Sequence, residues 1–274
     1  MRGIDLTGRV VVVTGGARGI GRATATALRA AGARVAIGDI DEAEVVRTAG
    51  QLGVLGAVLD VTDPASVTSF LAQVESTLGR PWGWVNNAGI MPLGALLEQD
   101  DAVMDAAVDV NLRGVLHGTR AAGRAMASAG GGRIVNIASI AGCIPVPGMA
   151  VYNATKAAVL CFGDAADAEL SAAGVRVSTV LPSFTNTALL DGTHPGRLLT
   201  PIPPETVADA VVATLRSGRR RAVVPRRLSG SLLWPLFPRP LARLLRLATG
   251  LDRVFLDVDS GRAPYDARIR GGST

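Results

Sequence analysis

The stretch VVVVTGGARGIG, residues 10–21, decides the fold. Four valines and a threonine in a row cannot alternate between a wet and a dry face, so they read as a strand covered on both sides. The glycine-rich turn that follows lets the chain reverse sharply and bring bare backbone close to a ligand. The Ala-rich run after it reads as a helix. A strand, glycine turn and helix in this order aim the helix N-terminus at a pyrophosphate. Glycines also serve ordinary tight turns, and the placement between strand and helix is what gives the nucleotide reading its weight.

The same alternation continues outward from that stretch. Aliphatic runs at 34–39 (RVAIGD), 54–60 (VLGAVLD), 82–87 (WGWVNN), 133–139 (RIVNIAS), 175–182 (VRVSTVLP) and 221–225 (RAVVP) are separated by longer Ala-rich segments. The spacing suits right-handed crossovers, so the expected fold is α/β, a doubly wound parallel sheet of Rossmann type with helices on both faces. Residues 1–226 are expected to form one dinucleotide-binding and catalytic domain, and 227–274 a basic C-terminal appendage.

The 274 residues are 48% hydrophobic with 33 glycines and few aromatics, which suits a soluble protein with a large aliphatic core. Cys143 and Cys161 form neither a disulfide framework nor a metal-ligand pattern, and no metal is expected. The N-terminal apolar run is too short for a signal-peptide core or a membrane span, so a cytoplasmic location is expected. The net charge of +5 is local, because nine arginines and no acidic residue lie within 216–246 while the rest is mildly negative.

Asp39 ends the second strand-like run. A carboxylate there can accept hydrogen bonds from a ribose 2′-hydroxyl and would repel a 2′-phosphate; the alternative is that it caps the next helix. Arg18, in the turn, would tolerate a 2′-phosphate. Direct repulsion at Asp39 decides for NAD, with NADP less favoured.

Residues 152–156, YNATK, hold one of two tyrosines and the only lysine among 28 basic residues. On a helix, Tyr152 and Lys156 are one turn apart and face the same side. Free tyrosine, with a pKa near ~10, is a poor base at neutral pH, and a neighbouring ammonium favours its phenolate. A planar guanidinium cannot replace a compact ammonium in such a place, which explains a lysine in an arginine-rich chain.

T-G-x-x-x-G-x-G at 14–21, N-N-A-G at 86–89, Asn111, Ser139 and Y-x-x-x-K at 152–156 occur in one order. Together they resemble the short, single-domain branch of the short-chain dehydrogenase/reductase family over about residues 7–225. The resemblance implies a seven-stranded sheet in the order 3-2-1-4-5-6-7 and a homodimer or homotetramer. It implies that Gly15, Arg18, Gly19, Ile20 and Gly21 meet the dinucleotide, Asp39 its ribose, and Asp60 and Val61 the adenine. Asn87, Ala88 and Gly89 would line the cofactor cleft, and Pro182, Thr185 and Thr187 would hold the nicotinamide carboxamide. Ser139, Tyr152 and Lys156 would be the catalytic group, with Ser139 donating to the substrate oxygen and Lys156 also binding the nicotinamide ribose. Asn111 would hold a helix irregularity and a proton-relay water near the lysine.

PSFTNT at 182–187 departs from the family's P-G-x-V-x-T, since Ser183 stands in for glycine and needs a backbone that carries a side chain. The form resembles a subgroup acting on lipophilic alcohols, so a lipophilic alcohol or ketone is the expected substrate. Residues 188–203 read as a lid, His194 as a loop histidine without a role, His117 as a helix-surface residue and Cys143 as a small apolar side chain. In 228–250, Leu241, Leu244, Leu245 and Ala248 follow helical spacing, with Arg243 and Arg246 off that face. Contact with an anionic membrane surface, a cover over the substrate mouth and a subunit contact all remain open for this segment. Arginines interleaved with leucines speak against nucleic acid. Two rival functions are an NAD-binding sensor or membrane-docking module without turnover, and an epimerase or dehydratase of the same superfamily. The intact Ser/Tyr/Lys set speaks against the first, and the turn spacing against the second.

Overall fold

Val10–Thr14 is buried along its whole length and forms β1 at the middle of the sheet. The structure, a computed structural model, describes residues 3–194 and 200–270. Around β1 lie β2 (Arg34–Asp39), β3 (Leu55–Val58), β4 (Gly83–Asn86), β5 (Gly132–Ile137), β6 (Val175–Pro182) and β7 (Arg221–Val224). All neighbours pair in parallel, in the order β3-β2-β1-β4-β5-β6-β7.

The valine run shows why the strand must be continuous. Val11 and Val13 join one core layer with Leu28, Val45 and Leu215, while Val10 and Val12 join the other with Phe70, Trp84 and Met126. The first layer is covered by α1 (Gly19–Ala30), α2 (Glu42–Leu52) and, beyond the later strands, α7 (Pro204–Ser217). The second is covered by α3 (Pro64–Leu78), α5 (Gly114–Ser128) and α6 (Ala150–Leu170); the short α4 (Asp101–Val108) leads into α5. Burying one such aliphatic side chain contributes about 1.5–3 kcal/mol.

Strand order reverses between β1 and β4, and ligands of open α/β sheets bind beyond the carboxyl ends of the strands at such a point. Thr14, Asn86, Ser139 and Pro182 all leave the sheet there.

After β7 the chain runs through 3-10 turns over Arg226–Leu236 into α8 (Arg239–Thr249), and ends in α9 (Ala263–Arg270). The apolar face expected on α8 is not the face it buries. Ala242 is buried and Leu245 half-buried, whereas Leu241, Leu244 and Leu247 are exposed. Residues 251–270 instead fold back over the strand ends, burying Leu251, Val254, Phe255, Tyr265 and Ile269. Among the described residues no helix is long and apolar enough to cross a membrane. Of the expected lid, 195–199 lie outside the described residues.

Candidate active site

The nucleotide end is laced together by Thr14 and Asn87. The Thr14 hydroxyl accepts from the N–H groups of Asn87 at 3.0 Å and Ala88 at 3.1 Å. Asn87 Nδ2 donates to the carbonyls of Thr14 and Gly15, both at 2.9 Å. A side chain at Gly21 would overlap the Gly15 carbonyl and the Asn87 amide, so the turn presents bare backbone. Asp41, Asp63 and Asp100 cap α2, α3 and α4. The start of α1, by contrast, has no side-chain cap and no acid in its first turn. Its free N–H groups and positive dipole end fit a pyrophosphate, so the residues present suit a dinucleotide.

Helix capping falls to Asp41, which leaves Asp39 beside the turn. Asp39 accepts from Ala17 N at 3.0 Å and Asp41 N at 3.3 Å. Burial pushes its pKa up, and those N–H groups hold it back. Arg18 is tied to Asp41 at 2.5 Å. Asp60 accepts from Thr62 N at 2.8 Å and Thr62 Oγ1 at 2.7 Å, next to buried Val61. His117 is not the surface residue the sequence suggested, for its Nδ1 donates to the Val61 carbonyl at 3.0 Å and ties α5 to the exit of β3.

On α6, YNATK distributes its side chains over separate tasks. Asn153 holds the loop after Ser139 on α6, donating to Ala141 O at 2.5 Å and Ile144 O at 3.2 Å and accepting from Val146 N at 3.1 Å. Thr155 Oγ1 donates to Tyr152 O at 2.9 Å and accepts from Asn111 Nδ2 at 3.2 Å. Lys156 Nζ donates to Ile137 O, at the end of β5, at 3.0 Å. Ser139 Oγ accepts from Ala141 N at 3.1 Å and donates to Pro182 O at 3.4 Å.

Asn111 lies fully buried in a π-helical turn, Asp109–Arg113, between α4 and α5. It accepts from Ile90 N and donates to Ile90 O, both at 2.8 Å, and so fixes the loop leaving β4. A side chain at Gly89 would press on both Asn111 Oδ1 and Lys156 Nζ.

Tyr152 and Lys156 are 7% and 4% exposed, with the ammonium 5.6 Å from the centre of the phenol ring. Burial drives the phenol above its ordinary value, while the Ser139 hydroxyl works against the rise. Burial also pulls the lysine from an ordinary 10.5 down to about 8. The sequence leads one to expect an ammonium that lowers the phenol pKa; in the protein by itself burial raises the phenol and lowers the lysine.

The PSFTNT loop reaches the glycine turn through the Thr187 methyl, which would lie 3.3 Å from a side chain at Gly19. Thr185 Oγ1 donates to Ser183 O at 3.0 Å, and Thr187 Oγ1 to Thr185 O at 3.4 Å. Ser183 in place of glycine is free of strain, because every described residue with positive φ is a glycine. Burial raises the Cys143 thiol, in keeping with an unreactive, half-buried side chain. His194 does have a partner, Asp259, at 2.8 Å. Sequence reasoning missed Met91, Val146 and Met149, which pack with Tyr152, and the whole segment 251–265 that covers them.

A family model described as short chain dehydrogenase matches residues 9–197, and the chain belongs to that family. It is 36% identical over 264 residues to the probable oxidoreductase EphD of Mycobacterium tuberculosis, covering 87% of this chain. That match takes in 45% of the relative, so the chain spans less than half of its length. It is also 36% identical over 230 residues to 2-(S)-hydroxypropyl-CoM dehydrogenase 3 of Xanthobacter autotrophicus, covering 77% of this chain and 90% of the relative. Among solved structures, a short chain dehydrogenase/reductase from Burkholderia phymatum in complex with NAD superposes with a TM-score of 0.77 at 26% identity, over 84% of this chain and 93% of that one.

Proposed function

We propose that the chain transfers a hydride between NAD(H) and a lipophilic alcohol or ketone. One observation carries this: Tyr152 and Lys156 sit one turn apart on α6, both buried, with the Ser139 hydroxyl at the phenol and Gly89 at the lysine, and Asn87 of that same loop bonds the glycine turn that opens the uncapped α1. Bound NAD supplies a hydride acceptor at its nicotinamide ring. Tyr152 Oη takes the hydroxyl proton when an alcohol is oxidised and gives it back when a ketone is reduced. The Lys156 ammonium stabilises the phenolate and binds the nicotinamide ribose. Ser139 Oγ donates to the substrate oxygen as charge develops on it. Asn111 positions the cleft wall at Ile90 and supports a proton-relay water beside Lys156.

NAD is favoured over NADP in this reading because Asp39 ends β2 beside the glycine turn, where its carboxylate would repel a 2′-phosphate, and Arg18 of the turn is already paired with Asp41. Met91, Val146, Met149 and Leu190 around Tyr152 suit an apolar substrate. A relative named for a hydroxypropyl substrate supports alcohol chemistry. The test is oxidation of 2-propanol, 2-octanol, retinol and a hydroxysteroid with NAD and with NADP, followed by absorbance of the reduced nucleotide. NAD should be reduced, faster with the larger alcohols, and no reduced nucleotide with any of them would overturn the proposal. A homodimer or homotetramer belongs to the same reading and is checked by sedimentation velocity.

The surface of α8 supports a second property. Leu244 and Leu247 lie together with Arg239 and Arg243, Leu241 is exposed on the same helix, and Leu233, Leu236 and Phe237 are exposed in the stretch that precedes it. An apolar strip flanked by cations fits peripheral contact with an anionic membrane. Co-sedimentation with phosphatidylserine vesicles at low salt, and release at high salt, is expected; equal recovery in the supernatant with and without anionic lipid would end this idea.

A further inference from the structure

The cover over Tyr152 comes from a segment remote in sequence. Phe255, 1% exposed, stacks on Phe184 with ring centres 5.6 Å apart and planes 10° apart. Leu251 and Val254 pack in the same cluster as Met91, Met149 and Tyr152. Two glycines seat this arm: a side chain at Gly148 would overlap the Phe255 carbonyl, and one at Gly192 would overlap Arg262. Asp259 N also donates to Gly192 O at 3.0 Å.

Arg262 joins the arm to two other walls of the cleft. Its guanidinium is buried, and a buried cation is tolerated only when its donors are satisfied. It donates to Leu189 O at 2.6 Å in the loop after β6, to Met91 O in the loop after β4, and to Asp266 at 3.1 Å on α9. It also lies over the Tyr265 ring, 4.3 Å from the ring centre. The Tyr265 hydroxyl in turn accepts from Met91 N at 3.0 Å. Both backbone groups of Met91 are therefore held by residues of the C-terminal arm.

We propose that Arg262 is a positioning residue that latches the C-terminal arm over Tyr152 as the roof of the substrate chamber. The arm then sets the size and apolar character of the alcohol that reaches the phenol. The identity of the ligand rests on the dehydrogenase proposal, but the latch itself does not.

Two variants test it, each read by hydrogen exchange and by kinetics. Arg262→Met removes the donors at similar length, and Tyr265→Phe removes only the acceptor for Met91 N. In Arg262→Met, exchange should speed up by about tenfold or more at Met91, at 189–192 and across 254–262, with β1 and α1 unchanged. In Tyr265→Phe the change should be confined to Met91. NADH binding, followed by its fluorescence, should stay the same in both. With 2-octanol as probe, KM should rise about tenfold in Arg262→Met while kcat stays within about threefold, and the KM for 2-propanol should hold, since a small alcohol does not need the roof. Unchanged exchange at Met91 and 189–192, or a loss of kcat shared by all alcohols with KM unmoved, would overturn the latch. Should Arg262→Met fail to fold, Tyr265→Phe decides alone, and unaltered exchange at Met91 sinks the idea. If the wild-type protein oxidises no alcohol, the dehydrogenase proposal falls, and the exchange data still decide the latch.

Discussion

The two ends of the cleft are assembled in opposite ways. The nucleotide end draws on strand exits that the glycine turn brings together, with Thr14, Asn87 and Ala88 exchanging short hydrogen bonds across neighbouring β1 and β4. The end around Tyr152 gathers Met91, Met149, Phe184, Leu189 and Phe255 from four segments, and one of its bonds joins residues 174 positions apart. Backbone geometry dictates the first end, and it tolerates little change. Side-chain packing builds the second, which leaves room for specificity to differ between members of one fold.

Removing the ammonium of Lys156 should have the largest effect. Lys156→Met should lower turnover about a thousandfold, as expected for loss of proton-transfer support. It should also stabilise the fold. Holding an ammonium whose pKa falls from 10.5 to about 8 costs about 3 kcal/mol at neutral pH, and loss of its bond to Ile137 O gives back about 1. The unfolded chain binds that proton more tightly, so the penalty is full below pH 8 and fades as pH rises toward 10.5. Urea unfolding should therefore show a more stable variant at neutral pH, with the gap closing in alkali. A less stable variant at neutral pH would contradict the account of this buried pair.

The nucleotide end is probed next. Asp39→Ser should raise the ratio of kcat/KM for NADP over NAD by about ten- to a hundredfold, since a full negative charge leaves the ribose site. An unchanged ratio would mean that Asp39 does not meet the ribose. A pH profile of ketone reduction is expected to be level through neutrality, because burial keeps the phenol protonated and able to donate. It should then fall above about pH 8 as Lys156 loses its proton, by up to about tenfold per pH unit. The smallest effect belongs to the outer surface. Leu244→Ser with Leu247→Ser should weaken vesicle binding several-fold and leave stability within about 0.5 kcal/mol, as both side chains are exposed.

Legibility in the sequence follows the same division. All seven strands could be read because strands covered on both faces are uninterrupted apolar runs, as in Val10–Thr14. Their ends were less certain. RIVNIAS stops as a strand at Ile137, since Ser139 turns away to cap a 3-10 turn, and VLGAVLD shrinks to Leu55–Val58. The placing of Tyr152 and Lys156 one turn apart on a helix, and of the glycine turn between strand and helix, was legible because each depends on spacing along a single element. The roof was not. Nothing in the spacing pairs Phe184 with Phe255, or Met91 with Arg262, because these contacts depend on where a proline- and arginine-rich tail comes to rest. The helical spacing of Leu241 and Leu244 showed an apolar face on α8 but could not say whether that face was covered.

The central claim is that Tyr152 moves the proton while the rest of the cleft holds the nucleotide. Tyr152→Phe tests it in a single preparation, with NADH binding followed by fluorescence and alcohol oxidation followed by NAD reduction. The account predicts an NADH affinity within about twofold of wild type and turnover lowered by about a thousandfold or more. Turnover that survives the loss of the hydroxyl, with NADH still bound, would contradict it.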